Sequence, residues 1–216
     1  MDAAMKLYTF FRSSAAFRVR IALNLKGLTY ESIPKAFAKN EHRAPDYLSL
    51  NPQGLIPALE DDGVVLSQSL AIIEYLEEKY PSPAFLPTAA VARAQVRSMA
   101  QAIACDIHPI NNLRILNYLR KQLGQNDDGV NAWYRHWITE GFKGLEQQAR
   151  AHSASQRFCF GDAVSIADIC LVPQVFNARR FDTDLSAFPT LVAISRHLES
   201  LPAFAAARPE VQPDAV

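Results

Sequence analysis

Phe10-Phe-Arg-Ser-Ser-Ala-Ala-Phe-Arg-Val-Arg-Ile-Ala-Leu-Asn-Leu25 is the stretch on which the reading of this 216-residue chain turns. The apolar run Leu7–Phe11 stops abruptly at Arg12, Ser13 and Ser14. A helical pattern then takes over: Val19, Ala22, Leu23 and Lys26 share one stripe, which Phe17, Ile21 and Leu25 widen. Ser13 or Ser14 is a natural N-cap, and Gly27 stands where the helix should stop. Two hydroxyls and a guanidinium therefore sit at a strand-to-helix junction. Helix N-termini offer free N–H groups and a partial positive charge, so such a junction can stabilise an anion, a thiolate included. Plain helix capping uses the same serines.

Outward from the junction, residues 5–11 read as a strand, 14–26 as a helix and Thr29–Ile33 as a second strand. A polar loop and a short helix, Ala44–Leu50, follow. Ala58–Glu60 and Val64–Leu66 flank Asp61-Asp62-Gly63, a hairpin signature. A helix over Ser69–Lys79 comes next. The order β-α-β, irregular helix, β-β-α predicts a thioredoxin-like α/β layout: a mixed four-stranded sheet flanked by helices. Tyr80-Pro-Ser-Pro-Ala-Phe-Leu-Pro87 cannot continue a helix and suits a semi-rigid linker, so a boundary falls here. Two domains are expected, 1–84 and an all-helical 88–216. In the second, a long helical pattern over 90–123 should kink or break at Pro109, and Gly124–Gly129 is a polar loop. A helix over Ala132–Ala151 leads to a capping box at Ser165 and Asp168. The helix Ile166–Asn177 is apolar nearly all round, with Pro173 expected to bend it. A last helix, Pro189–Leu201, ends in a proline-punctuated tail with no clear structure.

Composition narrows the function classes. The chain is 49% apolar and 20% charged, with no net charge, so no field attracts nucleic acid or an anionic membrane non-specifically. No apolar run approaches the ~20 residues of a membrane span, and Met1–Lys6 lacks the apolar segment of a signal peptide. Cys105, Cys159 and Cys170 have no metal-type spacing and fit a reducing cytosol; the five histidines are scattered, so no metal is expected.

Four constellations carry possible chemistry. The first is Arg12 with Ser13 and Ser14. The second is Gly54-Leu-Ile-Pro57, where a cis Ile56–Pro57 bond would leave the Ile56 N–H and C=O to a peptide-like ligand. The third is Ser67-Gln68-Ser69 before a helix, a cap or a carboxylate site. In the fourth, His108 and Asn112 lie four apart and are expected to share a helix face, with Arg114 further round. Arg179-Arg180 is a cationic pair at a helix end.

These residues together resemble the zeta-class glutathione transferases, which include maleylacetoacetate and maleylpyruvate isomerases. The match runs through Arg12-Ser13-Ser14-x-x-Phe17-Arg18-Val19-Arg20-Ile21-Ala22-Leu23, Asn51-Pro52, Ile56-Pro57 and Gln68–Glu78. It continues through Ala167-Asp168, Leu171–Val175, Ala178-x-Arg180-Phe181 and the closing Gln212-Pro213-Asp214, and so covers nearly the whole chain. His108–Asn112 is similar to the bacterial members. The resemblance implies a helical glutathione-transferase domain after the thioredoxin-like one, a homodimer and glutathione as cofactor. It places the γ-glutamyl carboxylate at Gln68 and Ser69 and the cysteinyl backbone at Ile56 before a cis-Pro57. It also implies glutathione contacts at His42, His108 and Asn112, and the thiol at Ser13 and Ser14. Arg12, Arg114 and Arg180 are the candidates for holding substrate carboxylates and a developing enolate. A thiol of pKa ~8.5 needs about 2.7 kcal/mol of preference for the thiolate to fall two units.

The implied reaction is reversible thiolate addition to a cis double bond, rotation, and expulsion to the trans product in aromatic-compound breakdown. The sequence leaves maleylacetoacetate and maleylpyruvate open. Two further readings remain: conjugation of glutathione to α-halo acids or other electrophiles, and a non-catalytic glutathione-fold binding protein. One departure stands out. Ala15 occupies the position of a family cysteine, which argues against side reactions needing a protein thiol, such as reductive dehalogenation, and does not exclude isomerisation.

Overall fold

A computed structural model of the chain describes residues 5–215; the expectation that Met1–Lys6 holds no signal-peptide segment falls mostly outside them. The chain forms two compact units. One runs to Ala84 and takes in the chain again from Leu201, and the other is Phe85–Ser200.

The first unit begins with β1 (Lys6–Thr9), α1 (Ser14–Leu25) and β2 (Glu31–Pro34). Two short 3-10 turns, Phe37–Lys39 and Glu41–Arg43, lead to α2 (Pro45–Leu50), β3 (Ala58–Asp61), β4 (Val64–Ser67) and α3 (Ser69–Lys79). The sheet order is β2-β1-β3-β4. β1 pairs parallel with β2, and β3 pairs antiparallel with both β1 and β4. This is the mixed thioredoxin-like sheet read from the sequence. The β3–β4 turn places Asp62 and Gly63 at φ 49° and 77°, the double positive that a two-residue hairpin favours because its twist matches the strands.

Helix α1 is buried on every side from Ala16 to Leu23, rather than along one stripe. It ends as Gly27 suggests. With Gly27 at φ 66°, its N–H donates to Asn24 O and that of Leu28 to Leu23 O, the paired bonds of a Schellman cap. Lys26, placed on the apolar stripe by the sequence pattern, keeps its ammonium buried against Glu77 Oε2 at 2.8 Å and Pro83 O at 2.6 Å.

The second unit is helical: α4 (Ala90–Gln101), α5 (His108–Ile110), α6 (Leu113–Lys121), α7 (Asp127–His152), α8 (Ile166–Arg180) and α9 (Pro189–Glu199). Pro109 interrupts the first long pattern as expected, in two ways. A π-helical turn, Ala102–Ile107, precedes it, with the His108 N–H donating to Ile103 O, and the helix stops after Ile110. Gly141 of α7 lies so close to Ile107 that a Cβ there would meet its side chain at 2.2 Å. Helix α7 starts five residues before the expected Ala132, because Asn126 caps it through Gly129 N–H and Asp127 and Asp128 suit its first turn. Helix α8 is buried nearly all round. Asp168 secures its start, accepting from the N–H and hydroxyl of Ser165 and from the Cys159 N–H.

The tail read as unstructured is ordered, and it belongs to the first unit rather than to a helical domain running to 216. It forms α10 (Pro202–Ala205) and a 3-10 turn, Pro209–Val211. Asn24 of α1 donates to Ala203 O, and Arg20 to Ala207 O. Its shortness and its prolines hide it, because no periodicity can build up over a single helical turn. Among the described residues no helix is long and apolar enough to cross a membrane.

Candidate active site

At the junction, β1 ends at Thr9 and the main chain turns through Phe10–Arg12 before α1. Ser13 is the N-cap of α1, its Oγ accepting the Ala16 N–H at 3.2 Å. That use occupies the oxygen and leaves the hydroxyl proton for an outside acceptor. Ser14, the first helical residue, is 7% exposed. The Ala15 N–H has no acceptor among the described residues, as the first turn of a helix requires. Arg12 is exposed, its guanidinium 4.8 Å from the Phe11 ring centroid.

Arg20, buried in the middle of α1, braces this turn from behind. Its Nη1 donates to Thr9 Oγ1 and Phe10 O, its Nη2 to Phe11 O, and its Nε to Ala207 O. Burial lowers its pKa to about 10, opposed by the nearby Tyr30 and Asp214, so it stays charged at neutral pH. The Phe11 N–H donates to Asp214 Oδ2 at 2.9 Å.

The Ile56–Pro57 peptide is cis. No hydrogen bond within the described residues uses the Ile56 N–H or C=O, although Ile56 is only 8% exposed. The preceding turn is held by Tyr47 and Asn51, which both donate to Leu55 O. Gln68 sits at φ 68°, ψ 115°, a conformation costly for a side-chain-bearing residue and concentrated at ligand clamps. Its Nε2 donates to Gln53 Oε1. Ser69 opens α3, and behind it Arg18, 1% exposed, donates to its Oγ. A buried cation thus backs a helix N-terminus, and both favour a carboxylate there.

His42 lies in the second 3-10 turn, stacked on Phe37 at 4.1 Å. Phe37 meets Phe10 at 4.7 Å and Phe10 meets Phe11 at 4.8 Å, so a row of aromatic rings connects His42 to the junction. Burial and then Arg43 lower the His42 pKa, and its Nδ1 is buried with no partner among the described residues. Gly54, at φ 57°, packs so tightly under this turn that a Cβ would meet His42 O at 2.8 Å.

In the second unit, the expectation that His108 and Asn112 share one helix face is corrected. His108 opens α5, whereas Asn112 lies beyond the break as the N-cap of α6, its Oδ1 accepting the Arg114 N–H. Arg114 is exposed in the first turn of α6. One turn of α7 organises both this break and the end of α8. Trp133 Nε1 donates to Ile110 O, Asn111 Nδ2 to Tyr134 O, and the Tyr134 ring stacks on Phe181 at 3.6 Å. Arg180 is exposed over Phe181 at 4.9 Å. Burial pushes the Tyr134 hydroxyl up to about 12, against the pull of Arg180 beside it.

The structure therefore groups Arg12, Ser13, Ser14, His42, Ile56, Gln68 and Ser69 in one unit and His108, Asn112, Arg114 and Arg180 in the other. Sequence reasoning missed Arg18, Arg20 and Asp214. The available signal was two arginines on a helix whose other positions are almost all apolar. Among the described residues no group of three or more metal-ligating side chains is assembled.

Residues 3–78 match the glutathione S-transferase N-terminal domain family, the class that the sheet and the α3 start already define. A probable maleylacetoacetate isomerase of Vibrio cholerae is 54% identical over 97% of each chain. The holo structure of a maleylpyruvate isomerase, described as a bacterial zeta-class glutathione S-transferase, superposes with a TM-score of 0.95 at 48% identity, covering 98% of this chain and 100% of that one. A maleylacetoacetate isomerase of Methylobacterium extorquens AM1, solved with malonate and glutathione bound, gives 0.93 at 43% identity over 98% and 99%. The chain belongs to the zeta-class glutathione transferase family of maleylacetoacetate and maleylpyruvate isomerases.

Proposed function

We propose that this chain is a glutathione-dependent cis–trans isomerase acting on maleylacetoacetate or maleylpyruvate. The observation that carries the reading is Ile56. Its main-chain N–H and C=O have no partner among the described residues, in a unit that also presents the starts of α1 and α3. Such a surface suits a short peptide with a carboxylate at one end and a thiol further along. A relative bound to both glutathione and the dicarboxylate malonate supports the same assignment.

In this reading Gln68 and Ser69, with Arg18 behind them, hold the γ-glutamyl carboxylate, and Ile56 pairs with the cysteinyl backbone. The family resemblance adds His42, His108 and Asn112 as candidate glutathione contacts. When bound, glutathione supplies a thiolate whose reversible addition turns the substrate's double bond into one that can rotate. Ser13 and Ser14 donate hydrogen bonds to that sulfur, and the start of α1 favours its charge. Arg12, Arg114 and Arg180 are the candidates for the substrate's carboxylates and for the charge that develops on the ketone oxygen. No protein nucleophile takes part, which is consistent with Ala15. We propose a homodimer in the cytoplasm on the strength of the family resemblance; light scattering on the purified protein tests the dimer.

The deciding experiment follows maleylpyruvate and maleylacetoacetate with sub-stoichiometric glutathione, by ultraviolet absorbance and thiol titration. Full conversion with unchanged thiol is expected. Stoichiometric thiol loss would favour the transferase reading, and no conversion of either compound would overturn the proposal.

A further inference from the structure

Gln212-Pro213-Asp214 closes the sequence match to the family, yet the reaction as derived gives it no task. The structure places it against the junction. We propose that Asp214 is a positioning residue for catalysis: its carboxylate, by accepting the Phe11 N–H, sets where Arg12, Ser13 and Ser14 stand. The inference rests on the reading that this junction meets the glutathione thiol.

The argument begins with how little local structure the junction has. Between the end of β1 and the start of α1, only one main-chain bond is made within the turn, from Ser13 N–H to Phe10 O at 3.0 Å. Further bonds come from outside, to Phe10 O and to both polar groups of Phe11. Arg20 takes the carbonyls of Phe10 and Phe11, and Asp214 takes the Phe11 N–H at 2.9 Å from a position 203 residues away in sequence. Fixing both the N–H and the C=O of Phe11 orients the peptide planes on either side of it. Those planes lead directly into Arg12 and Ser13.

The closing segment is built to deliver this carboxylate. Gln212 Nε2 donates to both Ala206 O and Arg208 O, folding the segment back on itself. Asn24 and Arg20 fasten its start to α1 through Ala203 O and Ala207 O. Arg20 therefore bonds the junction and the closing segment at once. The charged groups around Phe11 are Arg20 behind it, Arg12 exposed after it, and Asp214. The second carboxylate oxygen, Oδ1, is buried with no partner among the described residues. A half-buried carboxylate with one oxygen on the Phe11 N–H and the other unmet is kept where that bond matters, because an unmet acceptor is itself unfavourable.

The test uses the full chain and four variants: Asp214→Ala, Asp214→Asn, Ser13→Ala and Ser14→Ala. Each is assayed for kcat, for KM of glutathione, and for thiolate absorbance of bound glutathione against pH. Asp214→Ala is expected to lower kcat about tenfold or more, since small displacements at a reacting centre can cost up to about a hundredfold. Its thiolate titration should move to higher pH. KM for glutathione should stay within about threefold, because Gln68, Ser69 and Ile56 are untouched and their binding is uniform. Asp214→Asn, whose amide oxygen still accepts the Phe11 N–H, should retain kcat and titration near the parent.

An Asp214→Ala protein that loses thermal stability alone, with kcat and titration unchanged per folded molecule, overturns the proposal. So does an Asp214→Asn as damaged as Asp214→Ala, since it assigns the effect to charge. If neither serine variant moves the thiolate titration, the junction reading itself fails. If a serine variant moves it and Asp214→Ala does not, only the positioning role fails.

Discussion

Two helices in this chain are buried on nearly every side, α1 in one unit and α8 in the other, and each carries charge into its surroundings. Their charges are used differently. Arg20 of α1 spends its donors on the main chain of a neighbouring turn and on the closing segment, and Arg18 bonds the first hydroxyl of α3. Asp168 of α8 bonds its own cap residue and the nearby Cys159 N–H. Burial pushes the Asp168 pKa up while these bonds pull it down, and the net direction is upward. A buried charge aimed at another segment shapes that segment. A buried charge aimed at its own helix start secures the fold. Removing the first should damage the reaction and removing the second should damage stability alone.

The largest expected effect is at Arg20. Arg20→Met leaves the carbonyls of Phe11 and Ala207 without their donors and Phe10 O with the Ser13 N–H alone, so kcat/KM should fall about a hundredfold or more and stability by about 3 kcal/mol. Steady-state rates and urea unfolding read the two separately. Asp168→Ala should cost about 2–3 kcal/mol through its orphaned donors and leave kcat/KM per folded molecule within about twofold. A larger loss of activity there would erase the contrast between the helices.

Glu146 of α7 extends the comparison to pH. Its carboxylate is 4% exposed and accepts from the N–H groups of Thr190 and Leu191 at the start of α9 and from Arg150. Burial raises its pKa, but those bonds outweigh it and the net shift is downward from 4.5. With the folded value below the unfolded one, its stabilisation is fully present above pH 4.5 and is lost as pH falls through the folded value. The melting-temperature gap between the parent and Glu146→Gln should be constant at neutral pH and close in acid. A gap that widens in acid would reverse the assignment.

The smallest effect concerns Gln174 of α8, fully buried with neither Oε1 nor Nε2 partnered among the described residues. Gln174→Leu should be neutral or stabilising by up to about 1 kcal/mol. Clear destabilisation in urea titrations would mean that its amide has work in the core.

Much of this was readable in the residues because the signals were local. Asp62-Gly63 marks a hairpin whatever surrounds it, Gly27 ends α1, and Ser13, one of the two serines that could cap it, does so. The expected span of α3, Ser69–Lys79, agrees with the structure because strand and helix periods differ sharply there. Three things were not readable. Periodicity counts His108 and Asn112 as one face, but the helix stops at Asn111 just after Pro109, and Asn112 caps the next one. An arginine on a buried helix looks like a fault in the pattern until its distant acceptors are known. The closing segment has too few residues in any one conformation to show a period, and its partners lie near the other end of the chain.

The bond between Phe11 and Asp214 also fixes an order of events during synthesis. Residues 5–84 leave the ribosome first and hold nearly all of the sheet unit, but residues 85–200 must be made before the segment that finishes the junction exists. The sheet can form early while the turn before α1 stays unfinished, and the helical unit has the whole of that interval in which to fold. A nascent chain arrested before Asp214 would carry Ser13 and Ser14 on a turn still missing one of its outside supports.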